Sequence, residues 1–149
     1  KYYFVGNFYE KLVSFLILVS ITTFVNSQTI FGIWENRNEK TNTVDSYIEV
    51  YQKNKKAYAK IIEITDKNKQ NIACDKCEGL NKNKPILGMN ILTGLKKDGD
   101  EWSGGTILDP RNGKVYKCYI KLTNKNKLKI RGYIGVSLFG KTAYWYRKK

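Results

Sequence analysis

Apolar and polar residues alternate in short runs along the chain from residue 28 onward, and clusters of Asn, Lys, Gly and Asp separate these runs. A period of two places every second side chain on one face of a β-strand, and no long stretch has the 3.6-residue period of an amphipathic helix. Eight strands are predicted, at residues 31–37, 43–53, 56–64, 86–92, 102–108, 114–122, 127–134 and 141–147.

Alternation predicts which side chains share a face on several strands, and on residues 114–122 and 127–134 we expect the apolar face to point inward. Hairpin connections between about eight such strands favour an all-β fold, a small antiparallel up-and-down barrel, because closure removes the exposed edges. The predicted faces are Ser46, Ile48 and Val50 on 43–53; Tyr58, Ile62 and Ile64 with Lys60 on 56–64; Tyr116, Cys118, Ile120 and Leu122 on 114–122; and Leu128, Ile130, Gly132 and Ile134 on 127–134.

One segment, residues 65–85, interrupts the alternation. It is polar and rich in lysine, and it carries Cys74 and Cys77. We predict that it is the longest loop of the chain. Loops of that length in a compact domain need a covalent staple, a function or disorder to account for them.

The first 27 residues have the pattern of an export signal. An apolar run of 14 residues covers 12–25, and Ser27 is a small residue at the expected cleavage point. The run is shorter than the ~20 residues that span a bilayer, although a short membrane anchor or a buried helix is the alternative. We expect a signal peptide with a signal helix over 1–27, followed by a single domain over 28–149 in the periplasm or outside the cell.

Composition then narrows the chemistry of the chain. It has 149 residues, with 27 Lys and Arg against 13 Asp and Glu, a net charge of +14, and no histidine. Without histidine, Ser-His-Asp and Cys-His nucleophile pairs, histidine metal sites and attached c-type haem are excluded. The acidic group Asp98, Asp100 and Glu101 is typical of a solvated turn. We therefore expect no enzymatic activity, no metal and no cofactor.

The positive charge lies in turns and on outward strand faces. Interleaved basic and aromatic residues of this kind can bind nucleic acid. Export argues against a nucleic-acid partner, so we expect at most a weak attraction to anionic envelope surfaces, with a merely soluble surface as the alternative. The face in question consists of Lys117, Tyr119, Lys121, Lys129, Arg131 and Tyr133.

The three cysteines are the candidates for disulfide bonding in an exported protein. Cys74 and Cys77 can close a small loop, whereas Cys118 lies on an inward strand face where a free thiol behaves as a small apolar group. The alternative pairs Cys118 with one of the other two. No βαβ pattern surrounds the Cys-x-x-Cys motif, which argues against redox catalysis. A zinc site is disfavoured because the chain offers no fourth ligand of the usual kind.

A contact between an arginine and a tryptophan is predicted where the first and last strands meet. Gly32-Ile33-Trp34 opens the first strand, and Trp145 and Arg147 lie on the last. In a closed barrel these strands are neighbours, and an arginine guanidinium can stack on the tryptophan, as at the floor of lipocalin-like barrels. An ordinary core tryptophan is the alternative interpretation.

Several segments resemble the bacterial family called domain of unknown function 2147. The resemblance implies a small, exported, lipocalin-like (calycin-like) barrel without an established activity, and it favours a structural role for the Cys-x-x-Cys motif. Ala143-Tyr144 departs from the family, which more often has polar residues there. The segments that carry the resemblance are 32–34, 74–79, 83–89, 104–110, 112–116, 128–135, 139–142 and 145–147.

An eight-stranded barrel has room for packed side chains or for one small ligand. We expect a small apolar or amphipathic ligand inside the barrel, and no stable membrane span after cleavage. The alternatives are a filled barrel without ligand, an envelope interaction module acting through residues 65–85, and thiol–disulfide exchange at Cys74 and Cys77. The candidate cavity residues are Trp34, Ile48, Trp102, Tyr116, Ile130 and Trp145.

Overall fold

The structure, a computed structural model, describes residues 28–149, and the predicted signal peptide over 1–27 lies outside the described residues. Two short 3₁₀ helices, Lys67–Lys69 and Gly79–Asn81, lie in the longest loop. No helix in this described part is long and apolar enough to cross a membrane. The strands are β1 (Gly32–Arg37), β2 (Val44–Lys53), β3 (Lys56–Ile64), β4 (Asn90–Asp98), β5 (Glu101–Asp109), β6 (Lys114–Asn124), β7 (Lys127–Tyr133) and β8 (Gly140–Arg147).

All eight strands form one closed antiparallel barrel in sequence order. Each strand pairs with the next along the chain, and β1 closes the sheet by pairing with β8 over Trp34–Arg147, Glu35–Tyr146 and Asn36–Trp145. The predicted all-β barrel is therefore confirmed. Among the described residues, all eight strands contribute side chains to one core cluster.

The two ends of the barrel differ in their connections. We call the end with the three tight hairpin turns, at residues 54–55, 99–100 and 125–126, the floor. In the first of these turns Asn54 and Lys55 both have positive φ, as two-residue hairpin turns require. The opposite end, the rim, carries the longer connections at residues 38–43, 65–89, 110–113 and 134–139.

Inward side chains fill the floor half of the barrel. Large residues from β1, β4, β6 and β7 are completely inaccessible to solvent, and the three tryptophans are all buried. Close packing of this kind is the main source of stability for such a core. The inward residues of the floor half are Trp34, Val50, Ala57, Leu95, Trp102, Ile120, Leu128 and Trp145.

The fourth strand departs from its prediction. It runs over Asn90–Asp98 rather than 86–92, and Ile86 lies in the preceding loop. Gly94 has a φ of +75°, and Leu92 and Leu95, three residues apart, are both completely buried. Because this irregularity breaks the period of two, simple alternation does not locate the strand.

Two smaller predictions are also wrong. Tyr58 pairs with Tyr51 and Lys60 with Glu49 on the outer face, whereas Ile64 pairs with the inward Ser46, because a register shift at Tyr47/Ile48 adds a residue to β3; Tyr58, Lys60 and Ile64 therefore do not share a face. The buried residues of that strand include Ala57 and Ile61 instead. Ile134 is exposed rather than inward, because β7 ends one residue earlier.

Arg147 closes the floor. Its Cζ lies 4.2 Å from the centre of the Trp34 ring, so the predicted stacking of the two residues is confirmed. The guanidinium also donates hydrogen bonds to the carbonyls of Thr29 (2.6 Å), Phe31 (3.2 Å) and Lys125 (2.8 Å). These contacts join the segment before β1, the β6–β7 turn and the end of β8. Burial lowers the pKa of Arg147, because it disfavours the charged guanidinium. The charge-assisted hydrogen bonds to the carbonyls favour the charged form and so oppose this effect.

Replacing Arg147 with lysine tests the guanidinium specifically, because the positive charge is kept while the planar fork is lost. We expect the R147K variant of residues 28–149 to lose about 2 kcal/mol of unfolding free energy, measured by urea denaturation. Arg111→Lys is the control: Arg111 pairs with Asp109 at an exposed turn, so the loss should be below about 1 kcal/mol. Equal losses in the two variants would contradict this role of Arg147.

Candidate functional site

Inward-facing residues near the rim are partly open to solvent, whereas those of the floor half are buried. Ile107 on β5, Tyr116 on β6 and Gly132 on β7 are neighbours there, since Ile107 pairs with Tyr116 and a Cβ at residue 132 would lie 3.5 Å from Ile107 Cγ2 and 3.7 Å from Tyr116 Cβ. All three are partly exposed, whereas Cys118 and Ile130, one step further in, are buried. We call this group of partly exposed inward residues the rim cup.

The opposite wall of the rim is more polar. Asn36 on β1 donates a side-chain hydrogen bond to Ser46 Oγ on β2 at 3.4 Å, and Ser46 is the only buried polar residue among those that the structure describes. Ile64 pairs with Ser46 and is partly exposed. The Tyr116 hydroxyl accepts a hydrogen bond from Asn112 at 3.1 Å, which ties it to the β5–β6 turn. The cup thus combines apolar walls with a few oriented polar groups, as ligand sites commonly do.

The six predicted cavity residues fall into two groups. Trp34, Ile48, Trp102, Ile130 and Trp145 are buried, and only Tyr116 reaches the rim cup. Packing accounts for the buried ones: Phe31, for example, covers Trp102 edge-on at 5.3 Å between ring centres.

Ile107, Asn36 and Gly132 were not among the site residues predicted from the sequence. The inward position of Gly132 was predicted, and a glycine between two larger inward neighbours is a signal of free space on that face. Ile107 follows Gly104-Gly105, where the pairing of β5 with β6 is irregular. Alternation along the sequence therefore does not show that the Ile107 side chain points inward. Nothing in the sequence marks Asn36 as a site residue, except that it is polar on an otherwise apolar strand face.

A disulfide joins Cys74 and Cys77, and Cys118 is a free, buried thiol. Both linked cysteines are almost completely inaccessible and belong to the core cluster. The loop that carries them lies against the β5–β6 turn: Cys74 Sγ is 3.4 Å from the Pro110 carbonyl oxygen, and a Cβ at Gly113 would collide with the Lys76 carbonyl.

This loop covers part of the outer barrel wall. Leu92 pairs with Ile107 on the inside, so alternation places Ile91 and Leu108 on the outside, yet both are buried. Cys74, Cys77 and Met89, all on this loop, are buried as well. The predicted long loop is therefore a packed cover, and the disulfide fixes its tightest turn.

Substituting Gly113 tests this packing. The residue has a φ of +71°, so an alanine there suffers backbone strain as well as collision with the Lys76 carbonyl. We expect Gly113→Ala to lower the unfolding free energy by about 3 kcal/mol, through the sum of both effects. Gly99→Ala is the control, because Gly99 also has positive φ (+55°) but nothing lies within 4 Å of its Cβ. If both variants lose the same stability, the loop is not packed against the turn.

Outside this cover, the loop forms a surface pocket of about 400 Å³. Leu80, at its edge, is 93% exposed. The pocket lies on the outer surface beside β4 and is separate from the rim cup. Its lining residues are Leu80, Asn81, Lys84, Pro85, Leu87, Gly88, Met89 and Asn90.

Cys118 lies beneath the rim cup, directly opposite Gly132 and Gly105 on the neighbouring strands. Burial raises the pKa of its thiol to about 12, which keeps it protonated at neutral pH. A protonated, inaccessible thiol is a poor nucleophile, so Cys118 acts as a small apolar core residue.

The raised pKa gives a pH dependence of stability. In the unfolded chain the thiol ionises near pH 9, whereas the folded state holds the proton until about pH 12. The folded state therefore binds more protons in this window, and stability falls as pH rises through it. We expect urea denaturation of residues 28–149 to show a steeper loss of unfolding free energy between pH 9 and pH 11 than Cys118→Ala does. Parallel profiles would contradict the raised pKa.

The basic and aromatic face predicted on β6 and β7 is present on the outside of the barrel. The register pairs Lys117 with Tyr133, Tyr119 with Arg131 and Lys121 with Lys129. It continues onto β8, where Lys127 Nζ lies 4.1 Å from the centre of the Tyr144 ring.

The acidic turn before β5 is solvated and ion-paired. Asp100 contacts Lys121, and this hydrogen-bonded pair lowers the pKa of the Asp100 carboxyl. Asp98 accepts a hydrogen bond from Ser103 at 3.2 Å. These carboxylates are occupied in surface contacts at the floor end of the barrel, away from the rim cup.

Comparison with known proteins extends these observations. The family described as "Uncharacterized protein conserved in bacteria (DUF2147)" matches residues 32–147. Among solved structures, the protein HP1028 of the human pathogen Helicobacter pylori, described as a member of the lipocalin family, is similar with a TM-score of 0.70. The two chains are 22% identical, and the match covers 81% of this chain and 84% of the other, so it establishes a shared lipocalin-like fold. No curated protein sequence is significantly similar to this chain.

Proposed function

The chain belongs to the bacterial DUF2147 family, and we propose that its lipocalin-like barrel binds a small apolar or amphipathic molecule in the rim cup. The observation that carries the proposal is the change in exposure along the inward face. Cys118 and Ile130 are buried, whereas Ile107, Tyr116 and Gly132, one step nearer the rim, are partly open to solvent. Inward apolar groups left accessible at one end of a barrel are suited to an apolar ligand.

The filled floor half limits the size of this ligand. Trp34, Leu95 and Leu128 occupy the interior below the cup completely, so only a small molecule, or one end of a longer one, can be enclosed. Asn36 and Ser46 on the opposite wall supply polar groups that can orient a polar head. These features favour an amphipathic molecule over a purely apolar one.

We further propose that the protein is exported and acts in the periplasm or outside the cell. The disulfide supports this location, because disulfides persist in oxidising compartments, and the apolar segment 12–25 fits a cleaved signal. The proposal includes no catalysis. The burial of Cys74 and Cys77 supports this, since disulfide exchange requires an accessible sulfur.

Filling the cup tests the proposal. Gly132→Leu should place an isobutyl group against Ile107 and Tyr116, while Gly132→Ala adds only a methyl group at ordinary contact distance. We expect residues 28–149 to bind the neutral fluorescent probe N-phenyl-1-naphthylamine, with dodecanoate as competitor. The leucine variant should bind the probe at least about tenfold more weakly than the alanine variant, a loss of about 1.4 kcal/mol.

Thermal melting of both variants checks that the fold is intact, and Leu80→Asp tests the outer pocket in the same assay. Loss of binding in Leu80→Asp alone would move the site to that pocket and favour the interaction module at residues 65–85. Absence of saturable probe binding to the unmodified domain, with no small molecule retained in native mass spectrometry, would identify a filled barrel and overturn the proposal.

A further inference from the structure

The β7–β8 connection at the rim exposes a group of apolar side chains to solvent. Four of its six residues are apolar, and each is more than half exposed: Ile134 (69%), Val136 (59%), Leu138 (77%) and Phe139 (70%). Single exposed apolar residues are ordinary, but a cluster of four on one loop indicates contact with an apolar phase or partner. We call residues 134–139 the apolar loop.

Hydrogen bonds hold the backbone of the apolar loop in place. Arg131 donates from Nε to the Ser137 carbonyl and from Nη2 to the Leu138 carbonyl, both at 3.0 Å. Within the loop, the Ile134 amide donates to the Phe139 carbonyl (3.2 Å). Part of the polar backbone is therefore satisfied internally, which lowers the cost of moving the loop out of water. Because the backbone of the loop is already held in place, it loses little conformational freedom on binding.

The surroundings of the apolar loop are basic. The strands β6, β7 and β8 carry no Asp or Glu, and Lys114 and Lys141 lie at their rim ends. Lys117 pairs with Tyr133, next to the start of the loop, and Lys141 follows its end. Glu39, on the β1–β2 connection, lies 3.4 Å from Lys141, and both side chains of this pair are well exposed. The surface complements a negatively charged partner.

We propose that the apolar loop and the adjacent lysines dock the barrel, rim first, on the surface of an anionic phospholipid bilayer. Leu138 and Phe139 would enter the boundary between headgroups and acyl chains, and the lysines would contact anionic headgroups. An acidic polysaccharide offers no apolar phase for these side chains. A second copy of the chain would bring two basic surfaces together, which charge repulsion opposes.

Vesicle binding of residues 28–149 tests the proposal. We expect co-flotation with phosphatidylcholine vesicles that contain about 30% phosphatidylglycerol, and at least about tenfold weaker binding to pure phosphatidylcholine, because anionic lipid supplies the electrostatic attraction. The double variant Leu138→Asp, Phe139→Asp should bind the anionic vesicles at least about tenfold more weakly than the unmodified domain. Leu80→Asp, the same change at an exposed leucine on another rim connection, should bind as the unmodified domain does.

A second measurement separates insertion from electrostatic adsorption. Trp34, Trp102 and Trp145 are buried, so they are shielded from quenchers in the lipid. A tryptophan introduced by Phe139→Trp should be quenched by brominated acyl chains in anionic vesicles, and should shift its emission to the blue. Quenching and blue shift together would support insertion of the loop.

Three results would overturn the proposal. The first is equal vesicle binding by the double variant and the unmodified domain, with no quenching in Phe139→Trp. The second is binding to an acidic polysaccharide such as polygalacturonate without binding to vesicles, which would assign the basic face to glycans. The third is a dimer in analytical ultracentrifugation that the double variant abolishes, which would assign the apolar loop to a second copy.

Discussion

The contact between Arg147 and Trp34 reinforces the floor of the barrel, where the start of β1, the end of β8 and the β6–β7 turn meet. One guanidinium stacks on a ring of β1, bonds to the carbonyls of Thr29 and Phe31, and reaches Lys125 in the β6–β7 turn. Gly32 makes this approach possible: its φ is +127°, and a Cβ there would lie 3.1 Å from Arg147 Nη1. A planar group with five donors can serve all of these partners at once, which an ammonium cannot do.

Because the floor is closed, binding sites on this barrel are expected at the rim. The three connections at that end are tight turns, and the interior above them is filled by tryptophan and leucine side chains. All longer connections lie at the rim, where they can vary without disturbing the closure of the sheet. The disulfide loop, the rim cup and the apolar loop are therefore found at the same end or beside it.

Prediction from the sequence succeeded where alternation is uninterrupted. The strands β6 and β7 follow their predicted bounds closely, and Cys118, Ile120, Leu128 and Ile130 point inward as expected. The pairing of Arg147 with Trp34 was also accessible, because barrel closure makes the first and last strands neighbours. The position of β4 was not, since the positive φ at Gly94 breaks the pattern on which the prediction depends.

The rim was the least predictable region for a related reason. Ile134 continues the apolar alternation of β7 without a break, so the sequence alone gives no sign that the strand has ended and that the side chain is exposed. The loop that follows is held by hydrogen bonds from Arg131 to the carbonyls of Ser137 and Leu138, and no local pattern in the sequence encodes them. Likewise, five of the six predicted cavity residues have the composition of a pocket but are packed against one another, and only tertiary packing distinguishes the two cases.

The packed floor also connects the two proposals made for the rim. A ligand whose apolar part is longer than the rim cup must extend past Ile107 and Tyr116 toward solvent, because Cys118 and Ile130 close the space below. Transfer of that exposed part through water carries the hydrophobic penalty of about 25 cal/mol per Å² of apolar surface. A rim that rests on a bilayer through Leu138 would shorten or remove this aqueous step, since the cup would then open toward lipid. The cup and the apolar loop are nevertheless separate surfaces, one facing the barrel interior and one facing outward, so either can bind without the other.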